Sequence, residues 1–357
     1  MGPAPVPDLR DHTTLRLGGP AREWVRADTE ADLVAAVADA DAAGTPVLLL
    51  GGGSNLVVAD AGFDGRVVQV ATTGTTADTD TCDVDALAQC GGVVLTVAAG
   101  EDWDALVAHA VAQGWAGVEA LSGIPGAVGS TPIQNVGAYG QDVSQTISRV
   151  RTWDRVDRTQ RTFAAADCGF GYRHSRFKAE PGRYVVLEVT FQLRQGDLSE
   201  PIGYAELART LGVPTGERAP LAAVRDAVLA LRGGKGMVLD PADHDTWSAG
   251  SFFTNPVLAP EQAAALPADA PRWEQPDGAV KSSAAWLIEH AGFTKGYTSA
   301  AAGERVRLST KHTLALTNRG GATTEELLTL AREVRDGVRE RFGITLVNEP
   351  VTVGCSL

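Results

Sequence analysis

A run of three glycines lies inside an otherwise apolar segment, LLLGGGSNLVV, at residues 48–58. Glycine tolerates positive φ, and the successive backbone N–H groups of such a turn form a concave nest that suits an anion. Ser54 and Asn55 follow the glycines before the apolar run returns. The segment therefore predicts a strand, a bare loop and a second strand, with a phosphate or diphosphate as the ligand. A tight glycine turn between two core strands is the structural alternative.

Two common phosphate-binding motifs do not fit this segment. The motif GxxxxGK[ST] needs a lysine that is absent here, and GxGxxG fails because Leu56 occupies its sixth position. A helix start is also missing after the loop. The glycine loop is therefore neither a P-loop nor a dinucleotide fingerprint.

A second segment, LSGIPGAVGSTPIQNVGAYG at residues 121–140, has neither helical nor strand periodicity. Long irregular loops in compact domains are usually functional. Small residues let a flat or extended ligand lie against the backbone, and Gln134, Asn135 and Tyr139 supply candidate polar contacts. We therefore interpret it as a binding loop, with a buried structural loop as the alternative.

Basic side chains gather in CGFGYRHSRFK at residues 168–178, where Arg173, His174, Arg176 and Lys178 lie close in sequence. The chain as a whole carries a formal charge of −13, so a local cluster of this kind is where an anion would bind. Arginine in particular binds carboxylate or phosphate with two parallel hydrogen bonds. A solvated basic face is the alternative.

Ser251 lies in the segment TWSAGSFFTNP at residues 246–256, directly before two phenylalanines. The serine-hydrolase motif GxSxG is excluded because Phe253 stands at its last position. The sequence DHD at 243–245 resembles a metal site, but adjacent residues on one loop seldom converge on one ion. We therefore expect no bound metal.

The apolar periodicity predicts an α+β fold in two parts. In the first part we expect strands at 46–50, 56–58, 66–70, 93–98 and 184–193, two short strands within 12–25, a hairpin of 147–152 with 159–163, and helices at 30–43, 101–113, 201–211 and 219–231. In the second part we expect helices at 283–291 and 324–342 and strands at 313–317 and 344–347. The glycine-broken segment at 232–236 is the predicted domain boundary.

Composition excludes several classes of protein. Among 357 residues, 44% are hydrophobic and 21% charged, which is typical of a folded globular protein. The charge of −13 argues against a nucleic-acid or membrane-surface binder. No apolar run approaches about 18 residues, and the first residues lack a secretory signal. Cysteines 82, 90, 168 and 355 show no metal-site spacing. We expect a cytoplasmic protein with buried, reduced thiols.

Taken in order, the motifs GGGSN, SGIPGAVG with PIQNVGAYG, YRHSRFK, AGSFFTNP and the terminal NEP resemble the UDP-N-acetylenolpyruvoylglucosamine reductase family of bacterial cell-wall synthesis. The resemblance runs from about His12 to the C-terminus and is to the longer form, type I, with a tyrosine-bearing insertion. The glycine loops are shared with other flavoproteins of the vanillyl-alcohol-oxidase type. The specific signals are AGSFFTNP and YRHSRFK.

The resemblance implies an FAD-binding domain of that type at residues 12–231, made of two α+β subdomains at 12–70 and 71–231. A smaller α+β substrate-binding domain follows at 232–357. FAD is expected to be non-covalent, because the loop at 51–55 contains no histidine. The implied FAD contacts are Gly51, Gly52, Gly53, Ser54 and Asn55 for the diphosphate, Leu56 next to them, and Ser122, Gly123, Ile124, Pro125, Gly126, Gln134, Asn135, Gly137, Ala138 and Tyr139 for the flavin.

The reaction implied by the resemblance has two halves: NADPH reduces the flavin, which then reduces the enolpyruvyl ether of UDP-N-acetylglucosamine to UDP-N-acetylmuramate. Hydride addition to the β-carbon leaves charge on the α-carbon and its carboxylate, and this charge needs stabilisation. Arg173 matches the clamp on that carboxylate, and Glu349 matches a second stabiliser that must be protonated or hydrogen-bonded. Ser251 matches the proton donor, since a carbanion is basic enough to take a proton from a well-placed hydroxyl.

Three further residues match substrate contacts of the family, namely Tyr204 in the inserted segment, Lys235, and Asn255 in the SFFTNP motif. Each has a structural alternative, such as a core position for Tyr204 or a solvated charge for Lys235. Two features depart from the family pattern. His312 stands where a glutamine is expected, and the segment at 72–85, rich in Thr and Asp, has no counterpart.

Two other functions stay open on the sequence alone. A flavin-dependent alcohol or sugar oxidase of the same fold would use oxygen to reoxidise its flavin. A nucleotide-binding interaction protein that kept the fold would tolerate changes at Ser251. For the main interpretation we expect a monomer whose partners are small molecules, with no nucleic-acid or membrane partner.

Overall fold

A computed structural model of the protein describes residues 6–79 and 92–357. Cys82 and Cys90 therefore lie outside the described residues, as does part of the segment at 72–85 that has no family counterpart. Of the cysteines that are described, Cys168 is buried and Cys355 is partly exposed, and both are free thiols. Burial raises the pKa of Cys168 to about 12, so this thiol is unreactive.

Helices and strands are mixed along the whole described chain. The α-helices are α1 (Glu30–Ala42), α2 (Trp103–Ala112), α3 (Arg176–Ala179), α4 (Ala205–Leu211), α5 (Leu221–Gly234), α6 (Pro260–Ala264), α7 (Ala284–His290) and α8 (Thr324–Phe342). Short 3-10 helices occur at Leu9–His12, Glu119–Leu121, Val128–Ser130, Val143–Gln145, Ala165–Cys168 and His244–Thr246. The strands are β1 (Ala21–Ala27), β2 (Val47–Leu50), β3 (Leu56–Val58), β4 (Phe63–Val70), β5 (Thr75–Thr79), β6 (Gly92–Ala98), β7 (Trp115–Ala116), β8 (Gly137–Ala138), β9 (Gln141–Asp142), β10 (Ile147–Asp154), β11 (Thr159–Ala164), β12 (Tyr184–Gln195), β13 (Val257–Leu258), β14 (Arg272–Glu274), β15 (Val280–Ser282), β16 (Val306–Leu308), β17 (Leu316–Asn318) and β18 (Val351–Val353). The predicted α+β class is confirmed.

The described chain forms two compact units. The first comprises Arg22–Gly52 and the described residues of Asp64–Gly234. The second comprises the described residues up to Ala21 together with Gly53–Phe63 and Lys235–Leu357. The second unit thus includes short segments that the sequence-based boundary assigned to the first domain. The functional boundaries at 12–231 and 232–357 stay a prediction.

Among its described residues, the first unit contains two sheets of three or more strands, besides the antiparallel two-stranded pair β8-β9. The smaller has the order β1-β4-β2, and β2 runs parallel to β4. The larger has the order β11-β10-β12-β6-β5, its pairs are antiparallel, and β7 also pairs with β12. The predicted hairpin is confirmed as β10 and β11.

The long strand β12 is buried on both faces. Val185 and Leu187 pack with α1, whereas Val186 and Val189 pack in the core that contains α2. The alternation changes parity because the pairing with β10 shifts between Arg151 and Thr152, which leaves an extra residue in β12. This bulge lets one strand support two cores.

The second unit is built around α8. Thr323 and Glu326 form a capping box at its start, and Gly343, with φ +70°, ends it. Its apolar face lies in a core with α7, the Phe252–Phe253 pair and strands of the small sheets. Those sheets have the orders β13-β15-β14, β16-β17 and β18-β3, the last pair being parallel.

Two sequence predictions in these regions were wrong. The segment 344–347 is not a strand, because Ile344 and Leu346 are buried in the core while the pairing strand begins later, at β18. The segment 12–25 contains only the start of β1, since the residues before it form a 3-10 helix and turns. Among the described residues, no helix combines the length and the apolar character needed to cross a bilayer.

Candidate active site

The first glycine loop joins β2 to β3 and has no room for side chains at Gly52 and Gly53. A Cβ atom on Gly52 would lie 2.6 Å from the Cα of Gly126, so the loop packs directly on the backbone of the second loop. Gly53 has φ +61°, and a Cβ atom there would lie 1.9 Å from the carbonyl oxygen of His12. Glycine is therefore required at both positions.

This loop fits a diphosphate. Its polar groups are backbone N–H groups, the Ser54 hydroxyl and the Asn55 amide, and residues 51–56 include no acidic side chain. The left-handed conformation of Gly53 is the kind that turns successive N–H groups toward an anion. Within the second unit, the carbonyl oxygens of Gly53 and Asn55 accept hydrogen bonds from the N–H groups of Thr14 (3.2 Å) and Val351 (2.9 Å).

The second glycine loop, residues 117–146, is held by two buried side chains. Glu119 is fully buried and accepts hydrogen bonds from the N–H of Gly117 (2.7 Å), the side chain of Gln141 (2.9 Å) and the N–H of Glu200 (2.9 Å). Ser122 is also fully buried, and its hydroxyl donates to the carbonyl of Glu119 at 2.7 Å. The Ser122 hydroxyl therefore already has a structural role in the loop, and the FAD contact of Ser122 stays a prediction.

Asn135 ties the second loop to the cationic segment. Its side-chain oxygen accepts from the N–H of Ser144 (3.0 Å), and its side-chain nitrogen donates to the carbonyl of Gly171 (3.1 Å). It is almost fully buried. Asn135 therefore determines how the segment that carries Arg173 meets the loop.

Of the four basic side chains of that segment, Arg173 makes described contacts with the second loop. Its guanidinium donates to the carbonyl oxygens of Asn135 (3.1 Å) and Gly137 (2.5 Å). Lys178 donates to the backbone carbonyl of Arg173 (3.0 Å), while Arg176 bonds the carbonyl of Asp167 (2.8 Å). These two carbonyl oxygens help to orient the Arg173 guanidinium.

Three of the five described non-glycine residues with positive φ belong to this region, namely Asn135 (φ +48°), Tyr139 (φ +50°) and Arg173 (φ +51°). Such conformations cost on the order of 1–3 kcal/mol each and cluster at functional sites. The Tyr139 ring also packs edge-on against that of Tyr204, with 5.4 Å between centroids. Tyr204 lies at the start of α4 and is 44% exposed, so its ring is accessible to a ligand.

We expect Gly137→Ala to displace the Arg173 guanidinium, the predicted clamp on a substrate carboxylate. A Cβ atom there would lie 3.0 Å from Nη1 of Arg173 and 2.8 Å from the Cβ of Asp142, so these groups must move apart. Displacing a catalytic group by about 1 Å can cost about 100-fold in rate. The measurement is kcat/KM for the enolpyruvyl UDP-sugar that the sequence resemblance implies as the substrate. Gly171→Ala is the control, because its Cβ would meet its nearest atom at an ordinary 3.7 Å; equal losses in both variants would contradict the expectation.

In the second unit, a backbone hydrogen bond joins the segment that carries Ser251 to the segment that carries Glu349. The N–H of Glu349 donates to the carbonyl of Phe252 at 2.8 Å, and Phe252 directly follows Ser251. Both phenylalanines after Ser251 are 1% exposed and anchor the segment in the core. The N–H of Val351, two residues after Glu349, donates to the carbonyl of Asn55, so the Glu349 segment also contacts the end of the first glycine loop.

Asn255 and Lys235 lie in the same unit. The side-chain oxygen of Asn255 accepts the N–H of Ala284 at 3.0 Å, at the start of α7, so part of its hydrogen-bonding capacity is structural. Lys235 is partly buried and precedes Gly236, where a Cβ atom would lie 2.9 Å from the carbonyl oxygen of Asp245. His312, the departure from the family pattern, donates its N–H to Ser309 at 3.3 Å.

The acidic pair at 243 and 245 is engaged by cations. Lys311 lies 2.5 Å from Asp243, and its hydrogen bond lowers the pKa of that carboxyl. Asp245 is buried and accepts from Thr310 and from Arg319 (2.9 Å). In the part of the chain that the structure describes, no group of three His, Cys, Asp or Glu side chains could hold a metal ion.

Comparisons with known proteins show which family the chain resembles. Residues 240–353 match the family model of the UDP-N-acetylenolpyruvoylglucosamine reductase C-terminal domain, and residues 21–162 match an FAD binding domain. The chain is 60% identical to the UDP-N-acetylenolpyruvoylglucosamine reductase of Cutibacterium acnes, over 97% of this chain and 89% of that protein. It is 56% identical to that of Streptomyces coelicolor, over 99% of this chain and 92% of that protein. The crystal structure of the Thermus caldophilus reductase matches with a TM-score of 0.63 and 25% identity, covering 97% of each chain.

Proposed function

The chain belongs to the UDP-N-acetylenolpyruvoylglucosamine reductase family, and from this premise we propose that it is the NADPH-dependent flavoprotein that forms UDP-N-acetylmuramate for peptidoglycan synthesis. The observation that carries the proposal is the 60% identity to a named reductase over 97% of the chain. FAD is the cofactor and NADPH the co-substrate. The alternative of an alcohol or sugar oxidase shares the FAD-binding domain but does not account for the reductase family match at residues 240–353.

Hydride transfer from NADPH to the β-carbon of the enolpyruvyl group is the chemistry that bound FAD would supply. The loop at 51–56 is the proposed holder of its diphosphate, supported by the glycine-only path at Gly52 and Gly53. The second loop is the proposed holder of the ring system. Because NADPH and the UDP-sugar must both reach the flavin, we propose that they bind alternately.

Arg173 is the proposed clamp on the substrate carboxylate. As hydride adds to the β-carbon, negative charge moves from the double bond into the α-carbon and the carboxylate, and a fixed guanidinium stabilises it there. The hydrogen bonds to Asn135 and Gly137 support this role, because they fix the group before substrate arrives. Glu349 is the proposed second stabiliser of that charge.

Ser251 is the proposed proton donor to the α-carbon. The hydroxyl gives its proton as the carbanion collapses and regains one from solvent, so NADPH, a proton and the enolpyruvyl ether yield NADP⁺ and the lactyl ether. The buried Phe252 and Phe253 support the role by fixing the backbone beside the hydroxyl. Tyr204, Lys235 and Asn255 are proposed contacts of the nucleotide sugar.

A steady-state assay tests the proposed function against the oxidase. Under nitrogen, NADPH consumption should depend on the enolpyruvyl UDP-sugar, and mass spectrometry should find UDP-N-acetylmuramate in equal amount. Oxygen uptake with an alcohol or sugar substrate, in the absence of NADPH, would support the oxidase instead.

The protein acts on small molecules, and we further propose that it does so as a cytoplasmic monomer. The net charge of −13 supports the absence of nucleic-acid and membrane partners. Light scattering on the purified protein tests the oligomeric state. A mass that is a multiple of the chain mass would contradict the monomer.

A further inference from the structure

The helix α5 presents an ion pair to the second glycine loop. The guanidinium of Arg225 donates to both carboxylate oxygens of Asp104, on α2, at 2.7 and 2.9 Å. The same carboxylate accepts the N–H of Gly123 at 2.6 Å. Three groups far apart in sequence therefore form one chain of hydrogen bonds that ends on the backbone of the loop.

The ion pair is partly buried, since the side chains of Arg225 and Asp104 are 17% and 34% exposed. Burial favours the neutral carboxyl of Asp104, but the hydrogen bonds from Arg225 and Gly123 outweigh burial, so its pKa lies below the usual range. The carboxylate therefore stays ionised at neutral pH. Charge-assisted, two-pronged bonds of this kind are short and directional.

The same helix also packs on the other end of the loop. Val224, Ala227 and Val228 form a small core with Ala120, and the Tyr139 ring packs against it. Further along α5, Arg232 is partly buried near Tyr139 and Asp104, and desolvation lowers its pKa to about 10. One helix thus contacts the loop through both charge and apolar packing.

The hydrogen bond to Gly123 acts at a point that affects both glycine loops. Gly123 has the left-handed φ of +71°, and the hydrogen bond from its N–H to Asp104 holds the peptide group from which the following residues extend. Three residues later, Gly126 is the backbone on which Gly52 packs. A shift at Gly123 therefore moves the surface that supports the first loop.

We propose that Arg225 and Asp104 are a positioning pair for FAD: they fix the Gly123 N–H and so keep the SGIPG segment in the shape that binds the flavin. The inference rests on the flavin contacts proposed for residues 122–126. It predicts that the pair affects FAD affinity beyond its contribution to folding.

The test is the FAD dissociation constant of the apoprotein, measured by quenching of flavin fluorescence. Arg225→Met keeps the length of the side chain and removes its charge, and we expect FAD to bind about tenfold more weakly, equivalent to one lost charged hydrogen bond. Arg155→Met is the matched control. Arg155 makes two bonds of 2.6 and 3.1 Å to Asp41 on α1, and the pair is similarly buried, with exposures of 18% and 21%.

We expect the control variant to lose thermal stability to a similar degree while binding FAD like the wild type. Arg225→Lys should recover part of the affinity, because lysine restores the charge without the two-pronged geometry. Asp104→Asn keeps an acceptor for Gly123, is close to isosteric, and carries the test if Arg225→Met does not fold. It should weaken FAD binding less than Asp104→Ala does.

Equal changes in FAD affinity for Arg225→Met and Arg155→Met, or no change in Asp104→Ala, would overturn the inference. FAD binding is measured without NADPH or the UDP-sugar. A wild-type protein that binds FAD but does not reduce the UDP-sugar would therefore reject only the proposed function.

Discussion

Replacing Ser251 with alanine should slow the reduction of the enolpyruvyl UDP-sugar by ~10²–10⁴-fold, the usual contribution of a placed general acid. Reduction of the flavin by NADPH should continue at nearly the wild-type rate, because that half of the reaction needs no proton at the α-carbon. The two halves are measured separately by anaerobic stopped-flow absorbance. The expected signature is thus a loss confined to one half-reaction.

Ser248→Ala is a useful control for this variant. The Ser248 hydroxyl accepts the N–H of Gly250 at 3.2 Å, so its removal disturbs the same segment without touching the proposed proton donor. Any loss in Ser248→Ala should fall on both half-reactions alike. A Ser251→Ala enzyme slowed equally in both halves would remove the serine from the mechanism.

Replacing Gly53 with alanine should weaken FAD binding by about 100-fold or more, on the order of two charged hydrogen bonds. The substituted residue must hold φ near +61°, and its Cβ would lie 1.9 Å from the His12 carbonyl oxygen. Because that oxygen is backbone, the loop itself has to shift, and the N–H groups proposed to hold the diphosphate shift with it. Titration of the apoprotein with FAD gives the affinity.

Gly44→Ala separates conformational strain from collision. Gly44 follows α1 with φ +68°, and its Cβ would meet nothing within 4 Å. This variant should lose roughly 1–2 kcal/mol of stability, the cost of a left-handed L-residue, with FAD affinity unchanged. If Gly53→Ala binds FAD as tightly as Gly44→Ala, the first glycine loop is only a turn.

Elements with strong local signals could be predicted from the sequence. The helix α8 was predicted at residues 324–342, and it has those bounds because Thr323 caps its start and Gly343 ends it. The segment 344–347, wrongly predicted as a strand, is apolar, but its conformation depends on contacts with residues distant in sequence. Thr254 donates its N–H to Val347, and the parallel partner of β3 is found only at β18.

The same division between local and distant signals applies to the site. The two glycine loops are visible in sequence because glycine at close approaches is a local requirement. Of the four basic side chains, Arg173 contacts the second loop at Asn135, and Asn135 in turn bonds Gly171; residue spacing indicates neither contact. Glu119 and the Arg225–Asp104 pair were not predicted, and the members of that pair lie 121 residues apart. A lone carboxylate or arginine carries no signal until the fold supplies its partner.

The most direct test of the proposed function is a single-turnover experiment without oxygen. Purified protein with bound FAD is mixed with one equivalent of NADPH, which should bleach the flavin absorbance. Addition of the enolpyruvyl UDP-sugar should then restore the absorbance and yield one equivalent of UDP-N-acetylmuramate. Absorbance that stays bleached with the UDP-sugar and returns only when oxygen is admitted would contradict the reductase and favour an oxidase.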